Sequence, residues 1–87
     1  MEREFVIRNQ KGLHMRAAAL LMKTASRFDC EVSVARGNAT VNAKSLLGVM
    51  GLAASKGTRV SVTTRGKDEA AAMEAITALF NDSFGEE

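Results

Sequence analysis

The hydrophobic pattern of this chain switches repeatedly between the strict alternation of a half-buried strand and the spacing of an amphipathic helix. The switches fall within 87 residues, and glycines separate most of the segments because the chain contains no proline. A chain of this length forms one domain, here residues 1–87, and buries only roughly 60–65% of the surface that it exposes when unfolded. Its core must therefore be small and regular, which excludes a dinucleotide-binding domain, a barrel enzyme and a large cleft between domains.

The periodicity predicts four strands and three helices. Strands are predicted at residues 4–8, 31–35, 39–43 and 59–64, and helices at residues 15–28, 45–53 and 69–81. Asp68 is placed to cap the last helix, and residues 85–87 are expected to form a frayed acidic tail. The order β-α-β-β-α-β-α predicts an α+β fold, an open-faced two-layer sandwich with a four-stranded antiparallel sheet and three helices on one face.

Composition narrows the class of function. The formal charge is only +2, and the absence of Trp and Tyr argues against a nucleic-acid partner, which usually needs a basic face with stacking aromatics. The single Cys30 cannot form an internal disulfide, and no apolar run is long enough to cross a membrane. We expect a cytoplasmic monomer without membrane insertion. Neither a metal nor a cofactor is expected, because zinc-site spacing and a glycine-rich nucleotide loop are both missing.

The one histidine, His14, directly precedes the first predicted helix. The first amides of a helix lack internal partners and attract anions, so the backbone of Ala17 is a candidate support for a phosphate. Arg16 offers a forked guanidinium and Lys11 further positive charge. These neighbours favour a neutral imidazole, which could attack a phosphoryl group. The alternative is that His14 only caps or packs at the helix start, and spacing alone does not decide between the two.

Two further features suggest regulation and docking. Ser45 opens the second predicted helix and has the residue type of an N-cap. A partner interface is predicted from apolar and basic residues outside the predicted core: Met15, Leu20, Leu46, Leu47 and Met50, with a basic rim of Lys23, Arg27 and Lys44. Flexible Met and Leu side chains beside positive charge suit weak docking to several acidic partners. The alternative is that some of these residues belong to the core and that the lysines are ordinary solvated surface.

Three sequence segments resemble one known family. Residues 11–18, KGLHMRAA, resemble the G-L-H-x-R-P-A segment around the active histidine of the histidine-containing phosphocarrier protein (HPr) family of bacterial sugar phosphotransferase systems. Residues 42–52, NAKSLLGVMGL, are similar to the stretch around the family's regulatory serine, and residues 55–58, SKGT, to the loop before its last strand. The resemblance covers essentially the whole chain, and the predicted element order agrees with the HPr fold.

This resemblance implies a phosphocarrier in sugar transport. His14 would accept a phosphoryl group on Nδ1 from a phosphohistidine of enzyme I, which phosphoenolpyruvate charges, and would pass it to a histidine of an enzyme IIA domain. Arg16 would bind the phosphate oxygens, and an HPr kinase/phosphorylase would modify Ser45. The protein would be a stoichiometric carrier with a phosphohistidine intermediate, and not an enzyme.

The chain departs from the family pattern in its active-site segment. Ala17 replaces the usual Pro, and Met15 replaces the usual small residue; losing the Pro costs ~0.4–1 kcal/mol through the entropy of the unfolded chain. A nitrogen-type regulatory paralogue therefore stays open as an alternative. Two alternatives lie outside the family. One is a non-phosphorylated α+β interaction module, and the other is a small hydrolase of acyl phosphates that would use Arg8, Asn9 and Arg16.

Overall fold

Strands and helices follow one another in the predicted order, β-α-β-β-α-β-α. A computed structural model describes residues 1–86. The strands are β1 (Glu2–Val6), β2 (Glu31–Arg36), β3 (Ala39–Asn42) and β4 (Arg59–Arg65). The helices are α1 (Met15–Ser26), α2 (Leu46–Gly51) and α3 (Glu69–Asn81), and a short 3₁₀ turn, Ser83–Gly85, follows α3.

The four strands form one antiparallel sheet in the order β1-β4-β2-β3. Val34 lies opposite Val62 on one side and Val41 on the other, and Phe5 lies opposite Val60. Because side chains alternate along a strand, this register places the valines together on one face of the sheet. The alternation in the sequence predicted those inward positions, whereas the order of the strands is a result of the tertiary structure.

The helices cover that apolar face and leave the other face open. The residues of α1 and α3 that are buried lie at helical spacing: Ala17, Ala18, Leu21 and Ala25 in α1, and Ala72, Met73, Ile76 and Phe80 in α3. The small alanines allow α1 to approach its neighbouring helices, α2 and α3, closely. The predicted α+β open-faced two-layer sandwich is therefore confirmed.

Several predictions at element ends are wrong. β1 covers Glu2–Val6 and not residues 4–8, and α2 covers Leu46–Gly51 and not residues 45–53. The first helix ends at Ser26 and not at 28, because the N–H groups of Arg27 and Phe28 turn back to the carbonyls of Thr24 and Ala25, three residues earlier. The Asp68 side chain makes no capping hydrogen bond to α3. Its Oδ2 instead accepts the backbone N–H of Asp29 at 2.7 Å and so ties the start of α3 to the loop before β2.

The C-terminal segment is folded, so the expected frayed tail is wrong for residues 85 and 86. Phe84 is 1% exposed, and its ring meets that of Phe80 edge-on with 5.0 Å between centroids. The backbone N–H of Glu86 donates to the carbonyl of Ser83 at 3.0 Å. Burial of one aromatic side chain after the last helix explains why the chain end is held. Glu87 lies outside the described residues.

Within residues 1–86, every helix is too short or too polar to cross a membrane.

Candidate functional site

The turn before α1 presents His14 at the surface. Gly12 adopts a left-handed backbone, φ +65°, and its N–H donates to the carbonyl of Asn9 at 3.2 Å. The next residue, Leu13, is buried, and its N–H donates to the carbonyl of Ala54 at 2.8 Å. This anchoring leaves His14 as the first residue to emerge from the core, with 28% of its side chain exposed.

His14 is the N-cap residue of α1 and has an extended backbone. The first helical hydrogen bond runs from the N–H of Ala18 to the carbonyl of His14, at 2.8 Å. The side chain of His14 does not cap the helix, so the amides of Met15, Arg16 and Ala17 precede the hydrogen-bonded part of α1. Such amides carry part of the positive end of the helix dipole, which favours an anion at this position.

A surface depression of about 390 Å³ lies beside His14. Its lining residues come from the turn, the start of α1 and the chain end: Gln10, Lys11, His14, Arg16, Gly85 and Glu86. The structure thus brings together three residues that the sequence singled out, Lys11, His14 and Arg16. Lys11 and Arg16 are both exposed and line the same depression, so they add positive charge near the imidazole.

Glu86 is a member of the site that the sequence analysis missed. Its Oε2 lies 2.5 Å from Nε2 of His14, and its Oε1 accepts the side-chain amide of Asn9 at 3.1 Å. The hydrogen bonds from His14 and, to a smaller extent, Asn9 hold the pKa of the Glu86 carboxyl below its ordinary value. The only sequence signal for this contact was an aromatic residue, Phe84, beyond the last helix.

Asn9 is completely buried, and its side chain donates a hydrogen bond to Glu86. Its Nδ2 donates both to the carbonyl of Gly12, at 2.7 Å, and to Glu86. The Oδ1 atom is buried with no hydrogen-bond partner among residues 1–86. The hydrolase alternative needed this amide to face a phosphate beside Arg8 and Arg16, but its two donors are already used inside the protein.

Ser45 is the N-cap of α2. Its Oγ accepts the N–H of Gly48 at 3.1 Å, and the residue is half-buried. A Cβ at Gly48 would lie 3.2 Å from that Oγ, so glycine leaves room for the cap. The capping part of the Ser45 prediction is confirmed by this contact.

The predicted interface residues differ in exposure. Met15 is 63% exposed and Leu47 is 82% exposed. Leu20, Leu46 and Met50 are half-buried and pack against the core. Their helices place these three side chains at the boundary between core and solvent, so the exposed apolar surface is smaller than the sequence suggested and consists mainly of Met15 and Leu47.

The predicted basic rim is similarly uneven. Lys23 and Arg27 are exposed, and the Arg27 guanidinium lies over the Phe28 ring at 5.3 Å from its centroid. Lys44 is half-buried, and its Nζ donates to the carbonyl of Phe28 at 3.0 Å. Lys44 therefore has a structural contact at the end of α1 that the sequence analysis did not foresee.

A larger depression, of about 590 Å³, lies away from His14 on the open side of the sheet. Its lining includes outward-facing side chains of β2, β3 and β4, among them Ser33, Thr40 and Thr63. It brings no histidine together with a basic residue. The smaller depression at His14 is therefore the better candidate for phosphate chemistry.

Comparisons with known proteins identify the family of this chain. The family described as "PTS HPr component phosphorylation site" matches residues 1–82. Phosphocarrier protein HPr of Xylella fastidiosa is 44% identical over 87 residues, 100% of this chain and 98% of that protein. Phosphocarrier protein HPr of Neisseria meningitidis serogroup A is 46% identical over 86 residues, 99% of this chain and 97% of that protein.

A solved structure is similar over the same length. The crystal structure of HPr-C-His from Thermoanaerobacter tengcongensis superimposes with a TM-score of 0.96 at 42% identity and covers 100% of this chain and 98% of that chain. Sequence and fold thus match one family from end to end. This chain belongs to the HPr family of phosphocarrier proteins of the phosphotransferase system.

Proposed function

We propose that this protein carries a phosphoryl group on His14 between a phosphohistidine of enzyme I and a histidine of an enzyme IIA domain. The observation that carries the proposal is the position of His14. Its imidazole is half-exposed at the start of α1, beside Arg16 and Lys11. A nucleophile, a set of unpaired amides and two cations at one surface point suit the acceptance and release of an anionic group.

The transfer itself needs little from this chain beyond positioning and charge. The lone pair of His14 Nδ1 forms a bond to phosphorus while the phosphorus–nitrogen bond of the donor histidine breaks. The donor nitrogen keeps that electron pair, and the donation to enzyme IIA is the same exchange in reverse. Arg16 and the first amides of α1, including that of Ala17, bind the phosphate oxygens during both steps. Because the group is only passed on, the protein is a carrier and not an enzyme.

Docking would use the exposed apolar side chains near the two helix starts. Met15 begins α1 and Leu47 lies in the first turn of α2, and both helices pack side by side. The exposed cations Lys23 and Arg27 favour acidic partner surfaces. Small, partly apolar contacts of this kind release quickly, as a carrier with successive partners requires. We propose that it acts as a monomer in the cytoplasm in sugar transport.

Ser45 is proposed as a regulatory phosphorylation site for an HPr kinase/phosphorylase. A phosphate on Ser45 would sit at the start of α2, where negative charge is favourable to the helix. It would also lie two residues from Leu47, within the proposed docking surface. The added charge would repel an acidic partner, so helix stability and docking would respond in opposite directions.

The test is phosphorylation by enzyme I and phosphoenolpyruvate, followed by measurement of intact mass. We expect the mass of one phosphoryl group, lost in acid and retained in base. His14→Ala should abolish it, and Arg16→Ala should slow it on the order of 100-fold. Lys67→Ala, an exposed cation in the turn before α3, serves as the control for lost positive charge.

Two results would contradict the proposal. A label that survives acid would indicate a hydroxyl group instead of the imidazole. An unlabelled protein that binds polyanions in a salt-sensitive manner, unchanged by His14→Ala, would favour the interaction module. Within the family, a comparison of sugar-type and nitrogen-type enzyme I as donors would separate the sugar carrier from the regulatory paralogue.

A further inference from the structure

The chain end after α3 forms a fixed strap, residues 82–86, that returns toward the start of α1. Ser83 and Phe84 both have a left-handed backbone, with φ of 50° and 55°. Residues other than glycine rarely adopt this conformation, so the surrounding packing must hold it. The buried ring of Phe84 against Phe80 supplies that packing. Because the buried Phe84 ring holds this turn, the residues that follow it, including Glu86, have a defined position.

The strap places Glu86 beside His14, and each of its two carboxylate oxygens makes a hydrogen bond. Oε2 lies 2.5 Å from His14 Nε2, and Oε1 accepts from Asn9 Nδ2 at 3.1 Å. The Glu86 side chain is only 14% exposed. The sequence separation between Glu86 and His14 is 72 residues, so this contact depends entirely on the tertiary fold.

The direction of the hydrogen bonds follows from Asn9. The carbonyl of Gly12 can only accept, so the atom of Asn9 that faces it at 2.7 Å is the amide nitrogen. The second hydrogen of the same nitrogen points at Glu86 Oε1. A carboxylate accepts at both oxygens, and the imidazole nitrogen that faces Oε2 must therefore donate. The proton of the neutral imidazole then sits on Nε2, and the lone pair sits on Nδ1.

We propose that Glu86, held by Asn9, is a positioning residue that keeps the imidazole proton on Nε2 and so directs phosphoryl transfer to Nδ1 of His14. The inference rests on the proposed function of His14. It adds a role for the chain end, which acts through the imidazole and does not itself touch the phosphoryl group.

The same contact balances charge during transfer. When Nδ1 forms its bond to phosphorus and the donor nitrogen takes the electron pair of the broken bond, the proton on Nε2 stays in place. The ring of His14 then carries positive charge, which the Glu86 carboxylate offsets across the hydrogen bond. A buried aspartate supports the histidine of serine proteases in the same two ways, by orienting the tautomer and by stabilising the charged ring. The lowered pKa of Glu86 supports this role, because the group is ionised at neutral pH.

The decisive variant is Glu86→Gln. Asn9 still donates to the carbonyl oxygen of the new amide, so the amide nitrogen faces His14 and donates to Nε2. The imidazole must then accept there, and its proton moves to Nδ1, the atom that should attack. Glu86→Ala removes the contact without reversing it. Phosphorylation should therefore be slower in Glu86→Gln than in Glu86→Ala, on the order of tenfold, which is the population change that one hydrogen bond supports.

The ring nitrogens report the tautomer directly. His14 is the single histidine of the chain, so ¹⁵N-histidine labelling gives one pair of ring signals, read at a pH where the ring is neutral. We expect a protonated Nε2 in the unmodified protein, a protonated Nδ1 in Glu86→Gln and a mixture in Glu86→Ala. Glu74→Gln, the same loss of charge at an exposed position of α3, is the control and should leave both signals and rate unchanged.

The results separate the two proposals. Identical ring signals and equal rates in the unmodified protein, Glu86→Gln and Glu86→Ala would overturn the positioning role while leaving His14 as the carrier site. If the unmodified protein does not accept a phosphoryl group, the proposed function is wrong, and so is the proposed effect of Glu86 on phosphoryl transfer. The ring signals would still decide in that case whether Glu86 sets the tautomer.

Discussion

A Cβ atom added to Gly12 would lie 2.4 Å from the carbonyl oxygen of Ala54, and that same oxygen accepts the N–H of Leu13 at 2.8 Å. Gly12 also has a left-handed backbone, φ +65°. Its conformation and its surroundings therefore both require glycine. The turn that carries His14 is pressed against the segment before β4, and its geometry depends on that close approach.

Gly12→Ala should destabilise the protein strongly, by about 3 kcal/mol, because the new methyl group meets backbone atoms that cannot move aside. Gly37→Ala is the matched control, since Gly37 is also left-handed, φ +58°, but has nothing within 4 Å of the added Cβ. It should cost only about 1 kcal/mol. Urea unfolding measures both, and equal losses would show that crowding at Ala54 contributes nothing.

Ser45→Ala should lower the free energy of unfolding by about 1 kcal/mol, because the N–H of Gly48 loses its acceptor at the start of α2. Ser45→Asp keeps an acceptor at the N-cap and should retain most of that stability. Thermal unfolding of the three proteins checks the order. A Ser45→Ala protein as stable as the original would mean that solvent replaces the cap at no cost.

Phe84→Ala should cost about 3 kcal/mol, since it empties the space beside Phe80. It should also release the strap, so that the ring signals of His14 move toward those of Glu86→Ala. Phe84→Leu keeps an apolar anchor and should show a smaller loss of both stability and signal. If Phe84→Ala unfolds more easily but leaves the His14 signals in place, Glu86 is held by Asn9 alone.

Acid should destabilise the protein through Glu86 and Glu69. The His14 contact lowers the pKa of Glu86, and the N–H of Gly66, 3.1 Å away, lowers that of Glu69. A carboxyl whose pKa is lower in the folded state adds stability above its unfolded pKa, and this stability is lost as the pH falls through the folded pKa.

The free energy of unfolding should therefore decline from about pH 5 downward, and the decline should be smaller in Glu86→Gln and in Glu69→Gln. Urea unfolding at a series of pH values measures it. Glu74 is exposed, and its side chain makes no hydrogen bond among residues 1–86, so Glu74→Gln supplies the control. Parallel curves for all variants would contradict the assignment.

Leu47→Ala should weaken docking without affecting the fold. The side chain is 82% exposed, so the free energy of unfolding should change by less than about 0.5 kcal/mol. In the enzyme I reaction, the KM for the carrier should rise about fivefold with kcat nearly unchanged, as expected for an apolar contact at an interface. Val6→Ala, at another exposed apolar residue on β1, is the control, and an equal rise in KM there would remove the assignment of Leu47.

Much of the site could be read from neighbouring residues. The position of His14 before a helix and the Ser45 cap depend on contacts within a few residues, and the Gly12 turn has a local signal although its geometry also depends on Ala54. Local hydrogen bonding and helical periodicity determine such features, and the sequence displays both. The exposure of the predicted interface residues was predicted less well. Leu20 and Met50 lie at the boundary between core and surface, and periodicity does not resolve that boundary.

The order of the elements, their type and the inward face of each strand were determined by the sequence alone, since alternation and helical spacing act within single segments. Only the tertiary structure decided the strand order β1-β4-β2-β3, the contact of Asp68 with Asp29, and the approach of Glu86 to His14. These features join residues far apart in the chain. They depend on how the sheet, the helices and the Phe84 anchor pack together, and no periodic pattern records that packing.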